Sequence, residues 1–152
     1  NDDVTGETEP SGGNLTNKYI SKVGTLDEGQ DAEDLIVFLS MYRPPVGTAD
    51  VKVWFKACHR EDGQLIEDKD WIEMENLNDG FSSLTNENNF IEGRFEIPAT
   101  YKNSGTQVFE YTADNGITYS GFRQYVVKIG ILGNDGAVVP RVADLRAIAL
   151  QV

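Results

Sequence analysis

The side chains with the widest chemical repertoire in this chain are its one cysteine and its one histidine, which are neighbours, Cys58 and His59. A cysteine becomes a nucleophile when an imidazole reaches its sulfur and takes the proton. Adjacent residues of an extended strand, however, point to opposite faces. Because the preceding residues alternate as a strand does, we expect an ordinary pair at a strand end, and no dyad.

Metal and cofactor chemistry have few candidate residues in this sequence. A zinc site takes three or four Cys, His or carboxylate ligands, whereas the chain offers one cysteine and one histidine. The phosphate-binding loop, the dinucleotide fingerprint and the Gly-x-Ser-x-Gly elbow are missing from the sequence. No two carboxylates are marked as the opposed pair of a glycosidase. We therefore expect no catalytic residue, no cofactor and no metal, that is, a protein that is not an enzyme.

Carboxylates are densest between Asp27 and Asp34, where Glu28, Asp31 and Glu33 also lie. Oxygen-rich loops of this kind can hold calcium. The spacing differs from the fixed ligand positions of an EF-hand loop, and charge runs of this kind are commonly solvated. We predict a solvated or capping loop without a tightly held ion, and calcium binding is the alternative.

Trp54 is the aromatic residue of greatest functional interest. Alternation places it opposite Val53 and Phe55, so it faces either solvent or a segment that covers the strand. An exposed indole can stack on the apolar C–H face of a sugar ring. Trp54 is therefore the candidate glycan platform. Its alternative is burial under a loop or under the segment around Trp71, since large aromatic residues are usually buried.

The charge of the chain limits its partners. The sequence has 25 acidic and 13 basic residues, and its net charge is −12. Phosphate backbones and anionic membranes repel such a surface, so we expect neither nucleic-acid binding nor membrane binding. No apolar run approaches the roughly 18 residues that a membrane-spanning helix needs, so we expect no membrane insertion.

The elements that position these residues have a strand pattern almost throughout. Val51, Val53, Phe55 and Ala57 alternate with polar or large residues. Eight stretches have this character, namely residues 19–26, 35–42, 51–58, 91–97, 108–112, 117–120, 122–132 and 142–150. Turn residues separate them, and this spacing predicts an all-β fold, an antiparallel β-sandwich of jelly-roll type with about eight strands.

Individual stretches carry further expectations. Asp114-Asn115-Gly116 predicts a hairpin, because Asn-Gly tolerates positive φ. Residues 35–42 form a long apolar run, which is typical of a strand covered on both faces. Residues 31–35 and 68–75 are the two stretches with some helical character, and the second fits a short strand equally well.

Strand phase also predicts contacts. Phe55, Ile129 and Leu145 each lie on the apolar face of their strand, so we expect them to share one core. Asp144 and Arg146 lie on one face at a spacing of two, which predicts a local ion pair of small energetic value.

The N-terminal part differs in composition from the rest. Residues 1–17 are rich in Asp, Glu, Gly, Ser and Thr, which predicts a flexible tether. Residues 18–152 then form a single β-sandwich domain, since this length suits one core. Because the chain opens on Asn1, we expect it to be the C-terminal module of a larger chain.

The last strands resemble a known family. Residues 119–152, "YSGFRQYVVKIGILGNDGAVVPRVADLRAIALQV", resemble the C-terminal signature of β-sandwich modules in tailed-phage virion proteins. That signature is an aromatic-rich strand ending in Lys-Ile-x-Leu, a polar turn, and Pro-Arg-Val-x-Asp-Leu-Arg-Ala-Ile-Ala-Leu. The segments "YISKVGTLDEGQDAEDLIVFLSMYRPPVGTADVKVWFKA" and "EDKDWIEM" look similar to the same modules, so the resemblance covers residues 18–152.

The resemblance implies a role in assembly. These modules are similar to those of contractile-tailed, marine cyanophage-like phages, where they are virion structural, tail-fibre or baseplate components. It implies a virion module that is assembled in the host cytoplasm and packs against other virion proteins or copies of itself, as a homo-oligomer. It implies no catalytic residue. The alternative function is a carbohydrate-binding module for host-surface glycans, with Trp54 as its platform.

Overall fold

A computed structural model describes residues 3–46, 49–78, 80–86, 88–133 and 139–152. Within these ranges the chain forms β-strands and two single-turn 3-10 helices, Ile66–Asp68 and Ala99–Tyr101. None of the described helices has the length and apolar character needed to cross a membrane. The strands are β1 (Lys18–Ile20), β2 (Gly24–Thr25), β3 (Asp34–Tyr42), β4 (Asp50–Cys58), β5 (Ile72–Glu73), β6 (Glu75–Asn76), β7 (Ile91–Glu96), β8 (Glu110–Thr112), β9 (Thr118–Ser120), β10 (Gln124–Leu132) and β11 (Arg141–Leu150).

The strands form two antiparallel sheets and a separate hairpin. Sheet 1 has the order β1-β10-β4-β5, with β2 also pairing with β10. Sheet 2 has the order β11-β3-β7-β6, and β8 pairs with β9. Every pairing is antiparallel. The predicted class, an all-β antiparallel β-sandwich, is confirmed.

The described part of the chain has eleven strands, more than the predicted eight, for two reasons. The predicted first strand, residues 19–26, is divided into β1 and β2, because residues 21–23 leave the ladder with β10. In addition, β5 and β6 are two-residue strands that alternation cannot detect. They lie in residues 68–75, the stretch with two interpretations, which forms strand and no α-helix. Residues 31–35 likewise lead directly into β3.

The main core lies between the inner faces of the two sheets. Val53 of β4 pairs with Ile129 of β10, and Leu39 of β3 pairs with Leu145 of β11. Phe55 and Ile129 are buried in one cluster, and Leu145 is partly buried against it, so the predicted shared core is confirmed. Packing of this alternating apolar face is the main source of stability, because burial of each such side chain contributes about 1.5–3 kcal/mol.

The hairpin predicted at Asp114-Asn115-Gly116 is present as β8–β9. Gly116 has a φ of 83°, the left-handed conformation that glycine adopts without steric cost. Gly121, with a φ of 81°, follows the hairpin, and a Cβ there would lie 2.9 Å from the carbonyl oxygen of Ala32. The chain can therefore pass from the hairpin into β10 close to the start of β3.

Residues 3–17 pack against the outer face of sheet 1, unlike the flexible tether that their composition predicts. Glu7 and Leu15 are 3% and 2% exposed. The Trp71 amide donates to the Thr8 carbonyl at 2.8 Å. The segment, here called the N-terminal cover, is held largely by polar contacts to residues far away in the sequence. Because such contacts need no regular spacing of apolar residues, the sequence of the segment gives no sign that it packs.

Candidate functional site

Trp54 is buried, which is the alternative to its role as a candidate glycan platform, and it cannot serve as that platform. The side chain is 2% exposed. It faces outward from β4 as alternation predicts, but the N-terminal cover and the segment around Trp71 lie over it. A second buried cluster results, separate from the main core and made of Leu15, Trp54, Cys58, Ile66, Trp71, Val126 and Leu132. A sugar ring has no access to the indole face.

Lys128 lies inside this second cluster with no solvent exposure. Its Nζ is 2.9 Å from Oε1 of Glu7 and donates to the Glu7 carbonyl at 2.7 Å. The ammonium also lies 4.6 Å from the ring centroid of Trp54 and 4.9 Å from that of Trp71. Two aromatic faces and a carboxylate thus compensate for the hydration that the ammonium loses on burial.

Glu7 is the anion of this cluster. Burial opposes its ionisation, but hydrogen bonds from the Leu15 amide at 2.8 Å and from Lys128 outweigh it, and the pKa of Glu7 is lowered. Lys18 adds a second positive charge, 3.5 Å from the carboxylate. The carboxylate is therefore held ionised at neutral pH and joins the N-terminal cover to β1 and β10.

Lys56 is the second buried lysine of the outer face, 3% exposed. Its Nζ donates to the carbonyls of Pro10 at 3.1 Å and Glu67 at 2.9 Å. Burial, and next the charge of Lys128, lower the pKa of Lys56. A lysine with a lowered pKa can act as an amine nucleophile, but the cover encloses this one. The described arrangement is a structural clamp.

Cys58 and His59 lie at the end of β4 as predicted, and the contacts of both residues are structural. Burial raises the pKa of the Cys58 thiol, which keeps it protonated. The His59 amide donates to the hydroxyl of Tyr111 at 2.8 Å, and that hydroxyl donates to Asp62 at 2.7 Å. Lys69 completes the network with an ion pair to Asp62 at 2.6 Å. These partners make a rigid base for the β8–β9 hairpin.

The electrostatics of this network favour its observed protonation states. Burial opposes ionisation of Asp62, but the hydrogen bond from Lys69 prevails and lowers the pKa of the carboxyl. Burial of Tyr111 raises the pKa of its hydroxyl, so it stays a donor. The network is thus a hydroxyl that accepts from the His59 amide and donates to Asp62, which is in turn paired with Lys69.

The acidic loop Asp27–Asp34 uses part of its carboxylates in ion pairs. Asp31 accepts from Arg60 at 2.6 Å, and Asp34 lies 3.3 Å from Lys102. The hydrogen bond from Arg60 lowers the pKa of Asp31. Across the described part of the chain, no group of three or more His, Cys, Asp or Glu side chains is arranged to hold a metal ion.

The outer face of sheet 2 has a different character from that of sheet 1. On β3 the inward residues Val37 and Leu39 are buried, but the outward residues Ile36, Phe38 and Ser40 are only half-buried. The prediction that this strand is covered on both faces is therefore wrong for the outer face. Three cross-strand rows form what we call the open face, namely Asp144–Ser40–Glu92, Arg146–Phe38–Arg94 and Ile148–Ile36–Glu96.

The middle row of the open face is an arginine–aromatic stack. The guanidinium carbons of Arg146 and Arg94 lie 5.2 and 5.8 Å from the ring centroid of Phe38. Arg146 lies 3.6 Å from Glu92, and Arg94 lies 2.7 Å from Glu96. The predicted partner of Arg146 was Asp144. The strand register shifts between Val142 and Asp144, and Arg146 leans across β3 toward β7 instead.

Strand β11 forms the edge of sheet 2 next to this face. It is ten residues long, and β3 is its one partner among the described strands. A groove of about 490 Å³ separates it from β1 of sheet 1. The apolar side chains Tyr19, Ile129, Ile131, Val142 and Leu145 line the groove. The sandwich is therefore open along this flank.

Sequence reasoning missed the clamp of buried lysines, although a signal was present. Lys56, Trp54 and Lys128 occupy outward positions of neighbouring strands, and Trp54 pairs directly with Lys128 in the register. Outward lysines beside a tryptophan are compatible with solvent or with a polar cover, and strand phase alone does not decide between them.

No family model matches the chain, and no curated protein or solved structure matches it either.

Proposed function

We propose that this chain is a non-catalytic structural module that acts by packing its open face against a neighbouring protein. In this proposal the module belongs to a virion, as a tail-fibre, baseplate or surface component, and its neighbours are other virion proteins or copies of itself. The virion setting is supported by the resemblance of residues 18–152 to phage modules. The packing role is supported by the geometry of sheet 2.

The observation that carries the packing role is the incomplete cover of β3. Strand β3 is central in its sheet, and its outward residues include Ile36 and Phe38. Sheet 1 has a polar and aromatic outer face, and the N-terminal cover buries it. Sheet 2 has the more apolar central strand but no described cover. A neighbouring protein would supply that cover.

The composition of the open face fits a protein interface. Arginine and aromatic residues are enriched at the centre of interfaces, and charged rims add specificity. Here Phe38 lies between Arg94 and Arg146, with Glu92 and Glu96 around them. The flank adds an edge strand, β11, which pairs with β3 alone among the described strands, and edge strands are common sites of pairing with another chain.

The non-catalytic part of the proposal is supported by the polar clusters of the described chain. Lys56 and Lys128 are enclosed, and Asp62, Lys69 and Tyr111 are bound to one another. Each cluster has its hydrogen bonds directed inward. Truncation of any of these residues is expected to change stability.

Chemical cross-linking in the native assembly tests the proposal. Purified particles that contain the chain are treated with a carbodiimide, which joins carboxylates to nearby amines, and the products are mapped by mass spectrometry. We expect cross-links to neighbours from Glu92, which lies on the open face. Glu67, on the sheet 1 side, serves as the internal comparison. Recovery of the chain only as a free monomer, or cross-links from Glu67 alone, would overturn the proposal.

A further inference from the structure

A cleft of about 690 Å³ lies apart from the open face, between the segment that follows β4 and the β8–β9 hairpin. The segment contributes Gln64, Asp68, Asp70 and Trp71, and the turn before the hairpin contributes Tyr101. The cleft is thus built at the margin of the sandwich, and several separate stretches of the chain line it. Loops and hairpins at sandwich margins are frequent ligand sites.

The base of the cleft is rigid. Tyr111 and Lys69 line it, and both are fixed by Asp62, at 2.7 and 2.6 Å. The ammonium of Lys69 also lies 4.7 Å from the ring centroid of Tyr111. Because these partners hold the base in place, the cleft is formed before any ligand arrives, which lowers the entropic cost of binding.

The walls combine ring faces with hydrogen-bonding groups. Tyr101 is 39% exposed, so its ring is accessible to a ligand. Asp68, Asp70 and Asp114 are exposed carboxylates, which accept hydrogen bonds. Threonine hydroxyls at positions 8, 100, 112 and 118 both donate and accept.

One lining residue has an unmet hydrogen bond. Trp71 is 4% exposed, and its indole N–H has no partner in the described part of the chain. Buried donors are nearly always satisfied, by protein, water or ligand. Because this N–H is itself enclosed by the protein, a ligand in the cleft would be held by the exposed lining groups.

We propose that this cleft binds a neutral saccharide, with a sugar ring stacked on Tyr101 and its hydroxyls bonded to the carboxylates and threonines. Stacking on a ring face suits the apolar C–H side of a sugar. Carboxylate acceptors suit hydroxyl donors and repel anionic sugars. The site differs from the Trp54 platform in position, and the inference is independent of the packing function.

Titration of the whole chain with neutral hexasaccharides tests the inference. The probes are β-1,4-linked glucose, xylose and mannose oligomers and an α-1,4-linked glucose oligomer, followed by calorimetry and by protein NMR. We expect at least one probe to bind. Tyr101→Ala and Asp70→Asn should each weaken that binding about tenfold. Tyr19→Ala, which removes an exposed tyrosine outside the cleft, should leave it unchanged.

Several results would overturn the inference. One is an absence of binding for all four probes at millimolar concentration. Another is binding that Tyr101→Ala and Asp70→Asn leave intact, although thermal melting shows both variants folded. A third is selective binding of a lysine- and arginine-rich peptide in place of the saccharides, since that would assign the carboxylates to a cationic ligand.

Discussion

Glu7 and Lys128 form a buried ion pair that attaches the N-terminal cover to the outer face of sheet 1. Removal of two charges from water costs several kcal/mol per ion, and attraction between them offsets this only with good geometry and further hydrogen bonds. Both conditions hold, because Lys128 bonds to Glu7 at two atoms and lies against two indole rings. Loss of either partner leaves an uncompensated buried charge.

Glu7→Gln is therefore expected to lower the free energy of unfolding by about 3 kcal/mol. The amide keeps the size of the side chain but leaves Lys128 without its carboxylate. Glu9→Gln is the matched control, because Glu9 lies two residues away and is exposed. Urea unfolding followed by tryptophan fluorescence measures both. Equal stability of the two variants would contradict the role assigned to Glu7.

Gly130 tests the close contact between β10 and the N-terminal cover. A Cβ at this position would lie 2.5 Å from Cδ2 of Leu15 and 2.8 Å from Cζ3 of Trp54. Gly130→Ala should therefore destabilise the protein by about 1–3 kcal/mol, the usual effect of overpacking. Gly63→Ala is the control, because a Cβ there meets nothing within 4 Å. An unchanged melting temperature for Gly130→Ala would contradict a tight contact between β10 and the N-terminal cover.

Ile129 tests the main core in the same way. The residue is 3% exposed and packs in one cluster with Phe55. Ile129→Ala should lower the free energy of unfolding by about 2–5 kcal/mol, through lost burial and a residual cavity. Ile148→Ala, on the open face and 39% exposed, should have a far smaller effect in the isolated chain. A melting temperature unaffected by Ile129→Ala would disprove the strand phase.

At the scale of elements, the N-terminal cover should respond to acid. The pKa of Glu7 in the folded protein lies below its ordinary value of 4.5, and that of Asp62 below 3.8. Each carboxylate contributes stability that is complete above its unfolded pKa and is lost as the pH falls through the folded pKa. Stability should therefore decline from about pH 5 downward, and Glu7→Gln should show a shallower decline. Thermal melts between pH 7 and pH 3 measure this, and parallel profiles would contradict it.

Strands with strong alternation were predictable from sequence, and the short or covered elements were not. The inward set of β4, with Val53 and Phe55, and the hairpin at Asn115-Gly116 follow from local pattern and turn chemistry. Strands β5 and β6 have two residues each, too few to show a period. Their existence depends on pairing with β4 and β7, which is a tertiary effect.

The sites were harder to predict than the strands for the same reason. The face of β4 on which Trp54 lies was predicted correctly. Its burial, however, depends on residues 3–17, whose polar composition indicates no packing. Lys128 attracts that segment from more than one hundred residues away in sequence. Similarly, the half-buried state of Phe38 depends on which segments fold over sheet 2, and no periodicity in β3 encodes that.

At the scale of the whole molecule, the two sheets have unequal surroundings. The outer face of sheet 1 is covered by the chain itself, and that cover gives the buried Lys128 a carboxylate and the buried Lys56 a backbone carbonyl. The open face of sheet 2 exposes an arginine–phenylalanine row on a protein whose net charge is −12. Four of the six arginines lie on sheet 2 or at its strand ends, at positions 43, 94, 141 and 146. A partner that covers this face meets a row of two arginines and one phenylalanine, flanked by carboxylates.

Hydrogen exchange in the native assembly tests this asymmetry most directly. The backbone amides of the free chain are compared by mass spectrometry with those of the chain inside purified particles. Packing on the open face and pairing along the edge should slow exchange in β11 and β3, and leave the N-terminal cover and β4 unchanged. Equal exchange rates in β11 between the two states, or slowing confined to sheet 1, would contradict the proposal that the open face is the packing surface.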